Sequence, residues 1–355
     1  MMRHIYLFAV WFQVLGLGQS IPESLDGALD KVWQIPQKDG SLRSMTHSEA
    51  LKEALEYEAE KDFNARKFNK IRFFLYTPDH PTEPVEIDKN KPETLNQSTF
   101  NNKYPTRFMI HGWNGGYNTT ENRLIREALL LQGRTRQFNF IAVDWSVYAE
   151  SNLYISSQKS VSKAGRIIAE FIDWLHDYGK LSFDNLALYG HSLGAHVAGF
   201  TGKNVKGGKI HTIIGLDPAM PLFEYGNVKG RLAETDAKYV ESIHTNGGTL
   251  GFHQPIGRAS FYPNGGRNQP GCGLNVGCSH GRSVEFLAEA LALSEKNRFV
   301  SSRCKEFDAI KDASCKRKIN SRIGVRLGNP NNSFYAKGIY YLETNSKSPY
   351  GIKDS

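Results

Sequence analysis

Gly190-His191-Ser192-Leu193-Gly194 stands between the apolar run Leu186–Tyr189 and the helix-forming stretch Ala195–Phe200, so a serine flanked by glycines sits where a strand turns sharply into a helix. Such a turn presses backbone on backbone and leaves little room for Cβ atoms at Gly190 and Gly194. It lifts the serine hydroxyl above the sheet edge. The helix that opens there aims free N–H groups and the positive end of its dipole at the same spot. A chain organised around this turn needs a buried strand on one side of it and a covering helix on the other.

The surrounding pattern supplies both. From Ile71 onward, short apolar runs at Ile71–Tyr76, Phe108–Ile110, Phe138–Val143, Leu186–Tyr189, Thr212–Leu216 and Val240–Ile243 read as buried strands. Helical stretches near Asn122–Leu131, Ser162–Leu175 and Ala195–Phe200 lie between them, a further helix is expected from about Arg282 to Leu293, and Gly338–Glu343 reads as a late strand. Strands alternating with helices predict an α/β fold with a mainly parallel central sheet and helices on both faces. The Gly-, Pro- and Asn-rich stretch beyond Val240 carries turn signals at Asn246-Gly247-Gly248 and Pro263-Asn264-Gly265-Gly266.

The 355 residues suit one large domain, placed at 68–346, with a tail at 347–355. Residues 21–67 are polar and helix-prone, with Thr46 and Glu49 at capping-box spacing ahead of Ala50 and Leu51, and read as an N-terminal appendage or removable pro-segment. Residues 1–20 read as a signal peptide: Arg3 and His4, an apolar run from Ile5 to Leu17, then small residues at Gly16, Gly18 and Ser20. A run of roughly 13 apolar residues is too short to cross a bilayer. With 40% apolar and 23% charged residues the chain has the composition of a globular protein, neither disordered nor membrane-spanning.

Cys272, Cys278, Cys304 and Cys315 lie in the last quarter of the chain, and loop-closure cost favours the neighbour pairs Cys272–Cys278 and Cys304–Cys315 in an exported protein. Neither pair has a second Cys/His pair at metal-ligand spacing, so no metal and no cofactor are expected. Asn96, Asn118 and Asn331 head Asn-x-Ser/Thr sequons and are candidate glycan sites. The net charge of +8 is concentrated between Lys296 and Arg326, which hold ten Lys or Arg against three acidic residues. That stretch reads as a solvated basic face or as a surface for an anionic lipid or acidic glycan; no nucleic-acid motif accompanies it.

A serine alcohol is too weakly acidic to attack an ester unaided, so Ser192 needs a base in hydrogen-bond reach and a carboxylate to hold that base. Asp217 follows the strand Thr212–Leu216 and precedes Pro218, which puts a carboxylate at a strand end where such sheets build sites. His280 follows in the order Ser, Asp, His, just before a predicted helix and beside Cys278. His211, His244 and His253 are rivals read as turn or packing residues, and His196 is read as packing on the sheet. His111-Gly112-Trp113-Asn114-Gly115-Gly116, after Phe108–Ile110, offers a flexible loop, so the oxyanion donors are assigned to the backbone N–H groups of Trp113 and Leu193.

These motifs in this order, with Val143-Asp144-Trp145, Gly215-Leu216-Asp217-Pro218-Ala219, Ile243-His244-Thr245, Phe261 to Gly266 and Cys278-Ser279-His280, resemble the animal pancreatic-lipase family over roughly Ile71 to Glu343. The resemblance implies an α/β-hydrolase fold and the triad Ser192, Asp217 and His280. It also marks three departures. Cys272 and Cys278 enclose only Gly273 to Gly277 where long-lidded members carry about twenty residues, which implies a permanently open site as in the family's phospholipases A1. Ala233 stands where calcium-binding relatives carry an acidic ligand, leaving Asp236 alone. No C-terminal β-sandwich is expected, and with it no colipase-like partner. The activity implied is secreted hydrolysis of glycerolipid esters at a lipid interface, phospholipase A1-like first and triacylglycerol lipase second, against a non-catalytic lipid or glycan carrier.

Overall fold

The computed structural model describes residues 31–61, 70–132, 135–293, 299–316 and 325–352. The expected signal peptide at 1–20, parts of 21–67 and, of the basic stretch 296–326, residues 296–298 and 317–324 lie outside the described residues. The central sheet has eleven strands among them: β3 (Arg72–Tyr76), β4 (Val85–Ile87), β5 (Thr106–Ile110), β6 (Asn139–Asp144), β7 (Leu186–His191), β8 (Thr212–Leu216), β9 (Tyr239–Ile243), β10 (Ala259–Pro263), β11 (Val300–Cys304), β12 (Val325–Arg326) and β13 (Gly338–Leu342). They are ordered β12-β11-β13-β10-β9-β8-β7-β5-β6-β3-β4. The run from β13 to β6 is parallel throughout, and the antiparallel pairs are confined to the two sides. With its helices on both faces this is the α/β-hydrolase fold.

Parallel strands covered on both faces have no polar side to show, and β6 and β7 are buried along their whole length. Alternation then sends successive residues to opposite cores. Phe108 and Ile110 join Ile168, Phe171 and Ile172 of α3 (Tyr154–Asp177). Met109 joins Leu129 and the Phe286–Leu287 pair of α5 (Val276–Leu293). On the first face α3 lies against α4 (Leu193–Asn204) at Gly165, where an added Cβ would come within 2.4 Å of the Phe200 Cβ. The close approach of these helices lets α4 sit directly behind the strand that delivers Ser192.

Several elements differ from their sequence-based expectations. β10 and β11 lie inside the sheet, where no strand is expected from the sequence; in β10 the buried Ser260 hydrogen-bonds Ser242 of β9 at 2.8 Å, which satisfies its polarity internally. Helix α5 begins at Val276, so His280 sits within its first turns rather than ahead of it. The N-terminal segment is not simply polar and helical. β1 (Val32–Pro36) and β2 (Leu42–Thr46) form an antiparallel hairpin turned at Gly40, whose φ of +85° suits glycine.

The hairpin runs into α1 (His47–Lys61) through the capping box read from sequence: the Glu49 N–H donates to Thr46 Oγ1 at 3.2 Å and the Thr46 N–H to Glu49 Oε2 at 2.7 Å. Trp33, Ile35, Met45, Ala50 and Ala54 of this segment belong to the main core. The tail also folds back, with the Tyr350 N–H bonded to Glu289 Oε2 at 2.7 Å. Disulfides join Cys272 to Cys278 and Cys304 to Cys315.

Candidate active site

Ser192 takes φ +55° and ψ −122°, a conformation that costs a non-glycine residue free energy and is held by its surroundings. Its neighbours explain how. A Cβ at Gly190 would meet the Gly194 carbonyl oxygen at 2.3 Å, and one at Gly194 would meet the Ile110 carbonyl oxygen at 2.2 Å. The Ser192 N–H donates to Leu216 O at 3.0 Å, which ties the turn to β8. Leu193 is the first residue of α4, so its N–H belongs to the helix start that has no intrahelical acceptor. The Gly112 loop lies against the same serine, where an added Cβ would stand 3.1 Å from Ser192 Cβ.

The Gly112–Trp113 loop is braced by His111. Its buried ring donates from Nδ1 to Gly112 O at 2.8 Å and accepts the Trp145 N–H at Nε2, 3.2 Å away, while the Trp145 indole donates to His111 O at 2.8 Å. Burial lowers the His111 pKa, consistent with a neutral ring that can both donate and accept. Asp144 anchors the other side by pairing with Arg72 at 2.7 Å. The His111-Gly112-Trp113 and Val143-Asp144-Trp145 motifs are thus two halves of one support.

Asp217 is fully buried at the end of β8 with φ +40°. Its Oδ1 accepts the Thr245 and Asn246 N–H groups at 2.7 and 3.0 Å, and its Oδ2 faces His280 Nδ1 at 2.5 Å. A Cβ at Gly251 would strike that carboxylate at 2.3 Å, so the loop fits only with glycine there. The Ile243-His244-Thr245 motif therefore supplies the backbone that holds the acid. Burial pushes the His280 pKa down and repulsion from His191 pushes it further, while Asp217 pulls the other way; the net direction is down, towards a neutral base. Ser192 and His280 line one pocket of about 120 Å³, together with Gly112, Trp113, Glu121, Tyr154, His191, Pro221, Leu250 and Pro36.

The rival histidines are occupied elsewhere. His196 donates from Nε2 to Ala219 O at 2.7 Å and accepts the Leu232 N–H at 3.0 Å, and burial lowers its pKa to about 3. His244 lies between Ser242 Oγ and Phe252 O, at 2.9 and 2.8 Å, and burial lowers its pKa to about 4. His253 packs on Phe307. His211 lines a larger cavity of about 400 Å³ at the opposite ends of the strands. In that cavity Glu241 is satisfied by the Tyr239 hydroxyl, Asn332 and the Gly328 N–H, so the larger space holds no activated pair.

Two residues of the site had no sequence signal. The His191 ring lies 4.5 Å from that of His280, donates from Nε2 to the His280 carbonyl at 3.3 Å, and faces Glu121 Oε1 at 3.6 Å. Burial works against the charge on Glu121, but the His191 ring outweighs it and holds the carboxyl at about 2. Glu121 lies 70 positions from His191, too far for any local pattern to join them.

The short Cys272–Cys278 loop is not the whole boundary of the site. Ser192 is only 8% exposed, and part of the wall around it is Pro36 of the N-terminal hairpin. Asp236, the lone residue of the calcium-ligand comparison, is taken by Lys203, whose Nζ lies 2.5 Å from both carboxylate oxygens and 2.9 Å from Arg231 O. The side chains of Asn96, Asn118 and Asn331 lie on exposed residues. Of the basic stretch, Lys311 pairs with Asp308 and Lys316 with Glu343, both at 2.7 Å, which neutralises part of its charge locally.

The family model described as Lipase matches residues 40–350. The relatives this chain is similar to include a lipoprotein lipase of Gallus gallus, 32% identical over 323 residues that cover 83% of this chain and 64% of the relative. A lipoprotein lipase of Rattus norvegicus is 32% identical over 317 residues, covering 81% of this chain and 65% of the relative. The chain spans just under two thirds of the length of these curated relatives.

Proposed function

Because this chain belongs to the lipase family, we propose that it is a carboxylic-ester hydrolase that releases fatty acid from glycerolipids. The observation that carries the reading is the 2.5 Å contact of His280 Nδ1 with the buried Asp217 carboxylate, in the pocket that also receives Ser192. Asp217 fixes the tautomer that leaves His280 Nε2 free to accept a proton. Ser192 attacks the ester carbonyl as Nε2 takes its proton, and the N–H groups of Trp113 and Leu193 receive the oxyanion. The leaving alcohol departs with that proton. Water, activated by the same nitrogen, then cleaves the acyl-enzyme and restores Ser192.

Phospholipid is the preferred substrate class, because the loop Gly273–Gly277 closed by the Cys272–Cys278 disulfide is short. The similarity to lipoprotein lipases keeps triacylglycerol as the second reading. The protein works outside the cell at a lipid surface: two disulfides, three exposed sequons and the N-terminal apolar run support export. The experiment compares the protein with Ser192→Ala on phosphatidylcholine and trioleoylglycerol. Fatty acid and lysolipid release from phosphatidylcholine, falling about 10⁴-fold or more in the variant, is expected. Release from trioleoylglycerol alone would reverse the substrate order, and no release from either, with short esters also untouched, would favour a carrier.

A further inference from the structure

The hairpin β1–β2 belongs to neither layer of the α/β domain. Its strands pair with each other and not with the central sheet. It is seated through one face, with Trp33 and Ile35 each 3% exposed in the main core while Val32 and Gln34 face solvent. The Trp33 indole N–H is buried without a hydrogen-bond partner, and its ring is seated by apolar contact and by the Lys31 ammonium, 3.8 Å from the ring centroid. Polar ties secure the two ends. Lys31 Nζ reaches Glu224 Oε1 at 3.2 Å, in the segment after β8 that contributes Pro221 to the pocket. Lys38 Nζ reaches Asn152 Oδ1 at 3.1 Å, in the segment after β6 that contributes Tyr154. The hairpin is thus tied to both of these pocket-forming segments.

Pro36 is the point of the hairpin that reaches the pocket holding Ser192 and His280. Its position is tightly set: Pro36 pairs with Leu42, and the turn beyond it is closed by the Gln37 N–H to Ser41 O at 2.8 Å and the Gly40 N–H to Gln37 O at 3.0 Å. A slip of one residue would turn Trp33 and Ile35 out of the core and carry Pro36 away. A proline ring also has a fixed backbone angle and no long side chain to swing aside, which makes it a firm boundary.

We propose that Pro36, carried by the N-terminal hairpin, is a specificity-determining wall of the substrate pocket, against which the acyl chain of a bound ester packs. The proposal rests on the reading of Ser192 as nucleophile. It makes a segment 156 positions ahead of the serine a determinant of which ester the serine reaches.

The test measures kcat/KM for p-nitrophenyl acetate, butyrate and octanoate with the full chain, Pro36→Gly, Pro36→Trp and, as a control on the solvent face, Gln34→Ala. Pro36→Trp should lower the octanoate-to-acetate ratio of kcat/KM by about tenfold or more, since small changes in pocket volume discriminate on this scale. Pro36→Gly should move the octanoate-to-acetate ratio in the opposite direction, chiefly through KM, and Gln34→Ala should leave it unchanged. An unchanged melting temperature certifies the fold of each variant. An unchanged ratio in both Pro36 variants, or equal loss on every ester, would overturn the proposal and leave the hydrolase reading in place. Failure of the unaltered protein to cleave any ester would overturn both.

Discussion

At the residue scale, His280 has the most consequential surroundings. Burial and the neighbouring His191 depress its pKa, and Asp217 opposes them. A base works in its deprotonated form, so the acid limb of kcat/KM is expected below the ordinary imidazole value of about 6.5 and activity should persist into mildly acidic solution. His191→Gln removes the ring that disfavours a proton on His280 while keeping a donor for the His280 carbonyl. The His280 pKa then rises and the acid limb moves to higher pH; a limb that stays in place or moves down would deny His191 this role. Gly194→Ala should be far more damaging, because its Cβ would stand 2.2 Å from a backbone oxygen of β5. Loss of activity with a lowered melting temperature is expected, whereas a fully active, equally stable Gly194→Ala protein would contradict the turn geometry.

At the element scale, the link between α4 and the segment after β8 is an ion pair. Lys203, near the end of α4, meets Asp236, whose side chain is 2% exposed. Removing one partner strands the other in a low-dielectric site. Lys203→Met should therefore cost about 3–5 kcal/mol of stability by denaturant unfolding, and Lys203→Met with Asp236→Leu should recover much of it. Equal stability of the single and double variants would show that the pair contributes nothing. Element by element, legibility followed self-consistency. The mostly apolar strands β5 to β8 and the Thr46–Glu49 cap could be read directly, as could β9 from Val240 and Ile243 although Glu241 and Ser242 interrupt it. β10 could not, since its buried Ser260 is tolerable through its partner Ser242 in β9, and the Ser301-Ser302-Arg303 run gives β11 no apolar pattern. The hairpin β1–β2 was hidden in a polar stretch because only alternate residues, Trp33 and Ile35, carry its apolar face.

At the scale of the whole molecule, the fold brings together residues separated by about 240 positions, from Pro36 to His280. Ser192, Asp217 and His280 were legible because each stands in its own local motif and their order along the chain is informative. The Glu121–His191 contact and the Pro36 wall were not, because each joins segments that only the assembled fold makes neighbours. The short disulfide loop suggested an uncovered site, yet the N-terminal segment closes part of the space. A local omission was offset by a distant element.

Activation of Ser192 as a nucleophile by His280 can be read out as a covalent label. The most direct measurement is to treat the protein with a fluorophosphonate ester, digest it and locate the covalent adduct by mass spectrometry. Phosphonylation of Ser192, slowed by about 10³-fold or more in His280→Gln, is the expected result. An unmodified Ser192, or labelling at the same rate without His280, would contradict the account.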